Sequence, residues 1–196
     1  RTVISYAIGI AENGIYSVAN KFSSLFVTFY NIFHLSWTES VSLHVNDNDS
    51  KEFITDVINS ILKLFISICF IFIDIMPFVF PLFVDNRYSN AYTQIPILML
   101  AVLFQVVVGL YSVIYTALKK SIEIMKTSVY AAVINVVVDV ALIKIAGIYA
   151  ASISTLVAYM TMAIYRYFHV KKFINVIIEK NLIIFGIILG SFSIMS

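Results

Sequence analysis

The chain has 196 residues, of which 61% are hydrophobic and only 12% charged, with a mean hydropathy of +0.95 and a formal net charge of +2. Soluble domains use roughly 45–50% apolar and ~25% charged residues, so this composition excludes an ordinary globular domain and reads as an integral membrane protein. The small net charge and the lack of a long charged run give nucleic acid no foothold, and Cys69, alone inside an apolar run, can form no internal disulfide and points to neither a zinc site nor a redox pair.

Apolar stretches of spanning length are expected at about 14–36, 54–76, 92–117, 127–143 and 148–168, with partial spans at 1–11 and 181–196, all in a single transmembrane bundle. The chain opens on Arg1 and stops at Ser196 within an apolar stretch, so it is expected to be a piece of a larger polytopic protein, in which no signal peptide can be sought. In the first complete stretch, Ser17, Lys21, Ser24, Thr28 and Asn31 recur at spacings of four, three, four and three, which is a helical period. An ammonium roughly seven residues inside a span is costly unless it faces water or protein, so Lys21 either snorkels along its stem or faces something wet. Trp37 is expected at the membrane interface, followed by a polar loop from Thr38 to Glu52.

The second complete stretch carries Asp56, Ser60, Lys63, Ser67 and Asp74 on one side. Lys63 lies roughly ten residues from either end and needs an aqueous cavity or a carboxylate, with Asp139 and Asp74 as candidates. Pro77 and Pro81 are expected to kink or break the helix that follows. Gln94, Gln105, Ser112 and Thr116 align on the next span, Asn135 and Asp139 sit one turn apart on the fourth, and Ser152, Thr155 and Tyr159 line the fifth. Connections rich in lysine (Lys119, Lys120 and Lys126; Arg166, Lys171, Lys172 and Lys180) are cytoplasmic by the positive-inside rule.

Single Ser or Thr residues on membrane helices commonly pack or hydrogen-bond between helices, so each alone is better explained as glue than as a ligand. Five helices that each carry a polar face call for more, because polar groups facing lipid cost free energy. A bundle around a hydrophilic cavity satisfies them. Catalysis finds little support. Asp47, Asn48 and Asp49 spell D-x-D in a loop too short for a nucleotide pocket, and His34, His44 and His169 lack metal-ligand spacing. There is no Walker A sequence, nucleophile elbow or H-E-x-x-H, so the chain is expected not to be an enzyme and to use no cofactor and no metal.

GIYSVANKF with a later tryptophan, YSNAYTQIPILMLAVLF, KTSVYAAVINVVVDVALI, and GIYAASISTLVAY before RYFHVKK form an ordered set over nearly the whole chain. That set resembles the C-terminal half of the polysaccharide and O-antigen lipid flippases, in the multidrug, oligosaccharidyl-lipid and polysaccharide exporter superfamily. The resemblance implies an all-α, polytopic transmembrane helix bundle, half of a two-bundle inverted-V transporter. It implies a multi-pass protein of the bacterial inner membrane that moves a polyprenyl-pyrophosphate-linked oligosaccharide by alternating access, beside membrane lipid and glycan polymerase and export proteins. By position it implies that Arg1 lies near the cavity, and it matches Lys21 and Asn135 to the family's polar positions. Asp74 and Asp139 depart from the pattern. They could couple transport to protons or sodium, pair with Lys63, or do neither.

Together these readings give Arg1, Ser17, Lys21, Ser24, Thr28, Asn31, Lys63, Gln105 and Asn135 as candidate substrate-binding residues, and Asp74 and Asp139 as candidate ion-coupling residues. A cation-coupled multidrug antiporter of the same superfamily is the nearest alternative, and the mixed intramembrane charges, with Arg1, Lys21 and Lys63 set against Asp74 and Asp139, tilt the choice toward an anionic cargo. A membrane-embedded glycan polymerase or glycosyltransferase, or a scaffold without transport, ranks below.

Overall fold

Long apolar runs broken by short polar turns leave the backbone one economical solution in lipid, which is the helix. The computed structural model describes residues 10–195, and these contain helices and no strand: α1 (Ile10–His44), α2 (Ser50–Phe83), a 3₁₀ segment (Asn86–Gln94), α3 (Ile95–Ala117), α4 (Ser121–Ala146), α5 (Tyr149–Val170) and α6 (Lys180–Met195). Among the described residues three stretches are long and apolar enough to cross a membrane: α2, α3 with its 3₁₀ lead-in, and α4. The chain is an all-α helical membrane bundle. Helices α1 and α5 have the length but too many polar side chains to meet the same measure, and α6 is shorter.

Helix α1 runs well past Trp37, to His44, so the polar loop expected from Thr38 shrinks to residues 45–49. The reason is visible in its inner face: Phe26, Tyr30, Trp37 and Val41 are buried at helical spacing, so the stretch after Trp37 is an amphipathic continuation and not a linker. Trp37 itself is packed inside the bundle, where its indole Nε1–H donates to the Leu110 carbonyl at 3.2 Å. Helix α2 passes through both Pro77 and Pro81 without a break and ends at Phe83, where Val84 turns extended. Each proline forfeits one hydrogen bond of the ladder, and the buried neighbours Met76 and Phe80 hold the inner face in place.

Tight turns make the remaining connections. The Asp85 carboxylate accepts from the Arg87 N–H at 2.9 Å and opens the 3₁₀ segment, and a proline in the first turn, Pro96, starts α3. Gly147 joins α4 to α5 at φ 53° and ψ −127°, a backbone conformation that a side chain would strain.

Helix α3 is the axis of the bundle. It packs on α1, α2 and α5, α4 covers α5, and α6 lies on α2. Its buried residues accordingly lie on more than one face, among them Leu98, Met99, Val106, Leu110, Tyr111 and Ile114. Phe65 of α2 sits among Phe26, Tyr30 and Phe33 of α1 with ring centroids 5.4 Å apart and edges turned to faces, the arrangement that ring quadrupoles favour. The outward faces are apolar as well. Ile71, Ile75, Phe78 and Leu82 on α2 and Val129, Val133, Val136 and Val140 on α4 are exposed, as side chains in contact with lipid tails would be.

Candidate functional site

The stripe on α1 keeps the register its spacing dictates, and the packing decides where it points. Ile15, Tyr16, Ala19, Phe26 and Tyr30 face the bundle, while Lys21, Ser24, Thr28 and Asn31 are exposed and Ser17 is half-buried. The polar face is therefore turned away from the side of α1 that the other described helices bury, with Lys21 and Ser24 at the edge of a groove that the end of α2 borders. Two of its hydroxyls are satisfied within the helix: Ser24 donates to the Lys21 carbonyl at 2.7 Å and Thr28 to the Ser24 carbonyl at 3.0 Å. Lys21 makes no ion pair among the described residues.

Lys21 and Ser24 open onto a groove of about 480 Å³ that also takes in Val18, Phe22, Leu25, Phe83 and Asp85. The groove is mostly apolar, with an ammonium on one wall and a carboxylate on the other. Asp85 is engaged by Arg87, whose Nε donates to it at 3.2 Å, and this contact holds the carboxyl below the usual carboxylate range.

A second recess, of about 500 Å³, lies between α4 and α5 and shares no lining residue with the first. There Asn135 donates to the Thr155 hydroxyl at 3.4 Å, with Ser128 and Tyr159 also on the lining. Asp139, one turn along α4 from Asn135, is buried; Gln105 on α3 is half-buried; Asp74 on α2 is exposed. The candidates thus fall on several faces: Lys21 and Ser24 meet, Asn135 belongs to the other recess, and Arg1 lies outside the described residues. Such amide, hydroxyl and ammonium groups can hydrogen-bond a polar head group or pair with an anion. No group of three or more His, Cys, Asp or Glu side chains suited to a metal ion occurs among the described residues.

Lys63 finds a carboxylate, but neither of the two expected. Its ammonium lies 2.9 Å from Glu179, with both side chains about half exposed (48% and 44%). Beside it Asn59 donates to the Ile177 carbonyl at 2.9 Å and accepts from the Glu179 N–H at 3.1 Å. The two residues fasten the segment between α5 and α6 onto α2. Lys63 therefore serves a structural contact across the chain.

Arg166 falls both in the span expected at 148–168 and among the basic residues expected to form the connection after it. It belongs to α5, not to a lysine-rich loop, and is almost wholly buried, with 1% of its surface exposed. Its Nε donates to the Thr127 hydroxyl at 3.0 Å, its Nη1 to the Val108 carbonyl at 3.0 Å and the Ser112 hydroxyl, and its Nη2 to Thr127 at 2.7 Å and the Ile124 carbonyl at 3.3 Å. One guanidinium thus joins α3, α4 and α5, with no carboxylate among these contacts. The signal was present in the sequence: Ser152, Tyr159 and Arg166 are seven residues apart, so Arg166 continues the polar face of α5.

No family model, curated protein or solved structure matches the chain. The class that its fold defines is that of an α-helical membrane bundle.

Proposed function

We propose that the chain is part of a flippase that carries a lipid-linked oligosaccharide across a bacterial inner membrane, with the polar face of α1 on the substrate path. One observation carries this reading: Lys21, Ser24, Thr28 and Asn31 form a face that the chain's other described helices leave uncovered, on a helix whose opposite side is buried. In a membrane protein such a face needs water or a second bundle against it, and a two-bundle transporter supplies both. The ammonium of Lys21 suits a diphosphate, the hydroxyls and amide suit a sugar, and the apolar walls of the adjoining groove suit the start of a lipid chain. The family resemblance in the ordered segments supports the same assignment, with glycan polymerase and export proteins as neighbours in the pathway.

The test is complementation of a bacterial host lacking its own glycan-lipid flippase with the full-length gene, scoring surface glycan and the lipid-linked unit retained inside. Rescue is expected, and Lys21→Ala should abolish it at unchanged membrane abundance. Lys63→Ala should retain export, because its ammonium is committed to Glu179. Resistance to cationic drugs without glycan rescue would instead favour the antiporter and direct attention to Asp74 and Asp139.

A further inference from the structure

The end of the bundle where α3 turns into α4 and where α5 stops gathers cations that the transport reading does not use. Lys119 and Lys120 lie in the first connection, Lys171 and Lys172 follow α5, and none of the four makes an ion pair among the described residues. Rings hold two of them: the Lys120 ammonium stands 4.1 Å from the centre of the Phe173 ring, and that of Lys171 stands 4.3 Å from the centre of the Tyr167 ring. These contacts orient the ammonium groups and leave their charge in place. The acid Glu123 also stands here, and Lys126 at 3.0 Å neutralises it.

An apolar channel leads up to this cluster. Thr161, Ile164, Tyr165 and Phe168 recur at helical spacing along the outer side of α5 and line a groove of about 360 Å³ that finishes at His169 and Lys172. Ile164, Tyr165 and Phe168 are exposed there. His169 is held in place by the Tyr115 hydroxyl at 2.8 Å from its Nδ1 and by the Tyr165 ring stacked on it at 5.5 Å. A groove of aliphatic and aromatic side chains running into unpaired lysines and framed by tyrosines has the layout of a membrane–water boundary.

The geometry points to a binding site for an anionic phospholipid, with the phosphate against Lys172 and Lys120 and one acyl chain along the α5 groove. Charge complementarity selects the head group, because none of the four lysines makes an ion pair among the described residues and Glu123, the acid beside them, is held by Lys126. The groove selects a lipid over free phosphate, because its walls are apolar where an inorganic anion would need further donors.

The protein in detergent is titrated with dioleoyl phosphatidylglycerol or dioleoyl phosphatidylcholine, and bound lipid is counted by native mass spectrometry. Phosphatidylglycerol should bind about tenfold more tightly, on the scale of a few-fold per lysine near an anionic head group. Lys120→Gln with Lys172→Gln should erase the preference, whereas Lys51→Gln with Lys180→Gln should keep it. Thr161→Trp, which fills the groove and spares every lysine, should weaken binding of both lipids, with circular dichroism confirming helicity in each variant. Equal affinity for the two lipids, a preference that survives the Lys120 and Lys172 changes, or displacement of the lipid by millimolar inorganic phosphate would each overturn the proposal.

Discussion

Gly109 of α3 lies against the ring of Tyr30 on α1, and replacing it with alanine tests that approach directly. A methyl group there would stand 2.9 Å from Cε1 and Cζ of Tyr30 and nearer still to the Tyr30 hydroxyl. The ring has little room to retreat: it is 5% exposed and packs edge-on against Phe65 at 5.4 Å and against His34 at 5.5 Å. Overfilling a packed core costs ~1–3 kcal/mol, and exchanging a mid-helix glycine for alanine returns ~0.5–1 kcal/mol, so Gly109→Ala should destabilise by about 1–2 kcal/mol. The Tyr30 hydroxyl is buried without a hydrogen-bond partner among the described residues, so Tyr30→Phe should be neutral or stabilising. In the double variant the penalty of the added methyl should shrink, giving a coupling of about 1 kcal/mol. Unfolding in mixed micelles measures it, with Trp37 as reporter, because the chain's one tryptophan donates to Leu110, the residue after Gly109. A stabilising Gly109→Ala that is additive with Tyr30→Phe would mean that the two helices are farther apart, and the reasoning would fail.

Asn59→Leu should release the segment before α6, because both of its amide contacts to that segment are lost; about 2 kcal/mol of local stability should go, seen as faster amide exchange at Glu179. Lys63→Ala, by contrast, should cost less than ~1 kcal/mol, as half-exposed ion pairs do. At Arg166 the order of substitutions is the test. Arg166→Lys keeps a buried charge but cannot reach acceptors on three helices at once, whereas Arg166→Met removes the charge and leaves only neutral dipoles behind. Arg166→Lys should therefore lower the unfolding midpoint more than Arg166→Met does.

The helices and the face each residue takes were legible in the sequence wherever the pattern was periodic. Lys21, Ser24, Thr28 and Asn31 share a face because 3.6-residue geometry requires it, whatever the rest of the chain does. The direction of that face was not legible, since it depends on which side of α1 meets α3. Local polarity also misled at 38–44, where two buried anchors, Trp37 and Val41, outweigh the polar residues around them and extend the helix. Pairings between distant residues left no trace in the local sequence: Lys63 meets Glu179 and Asn59 meets Ile177 across more than a hundred residues, and only the packing of α6 on α2 brings them together. Arg166 reads two ways in the sequence, as the first of the basic residues that follow the span and, by its seven-residue spacing from Tyr159, as part of the helix, and burial decides for the helix.

The guanidinium of Arg166 also bears on how the bundle is made. Val108, Ser112, Ile124 and Thr127, which accept its hydrogen bonds, all precede it in the chain. During synthesis they leave the ribosome first, so α3 and α4 can be seated in the bilayer before α5 arrives. The cation then enters a prepared set of dipoles and has no need to wait in lipid for partners still to be made. The order of the segments along the chain is thus itself a means of carrying a permanent charge into a bilayer, and reversing α4 and α5 in the gene would leave only the α3 acceptors, Val108 and Ser112, ahead of it.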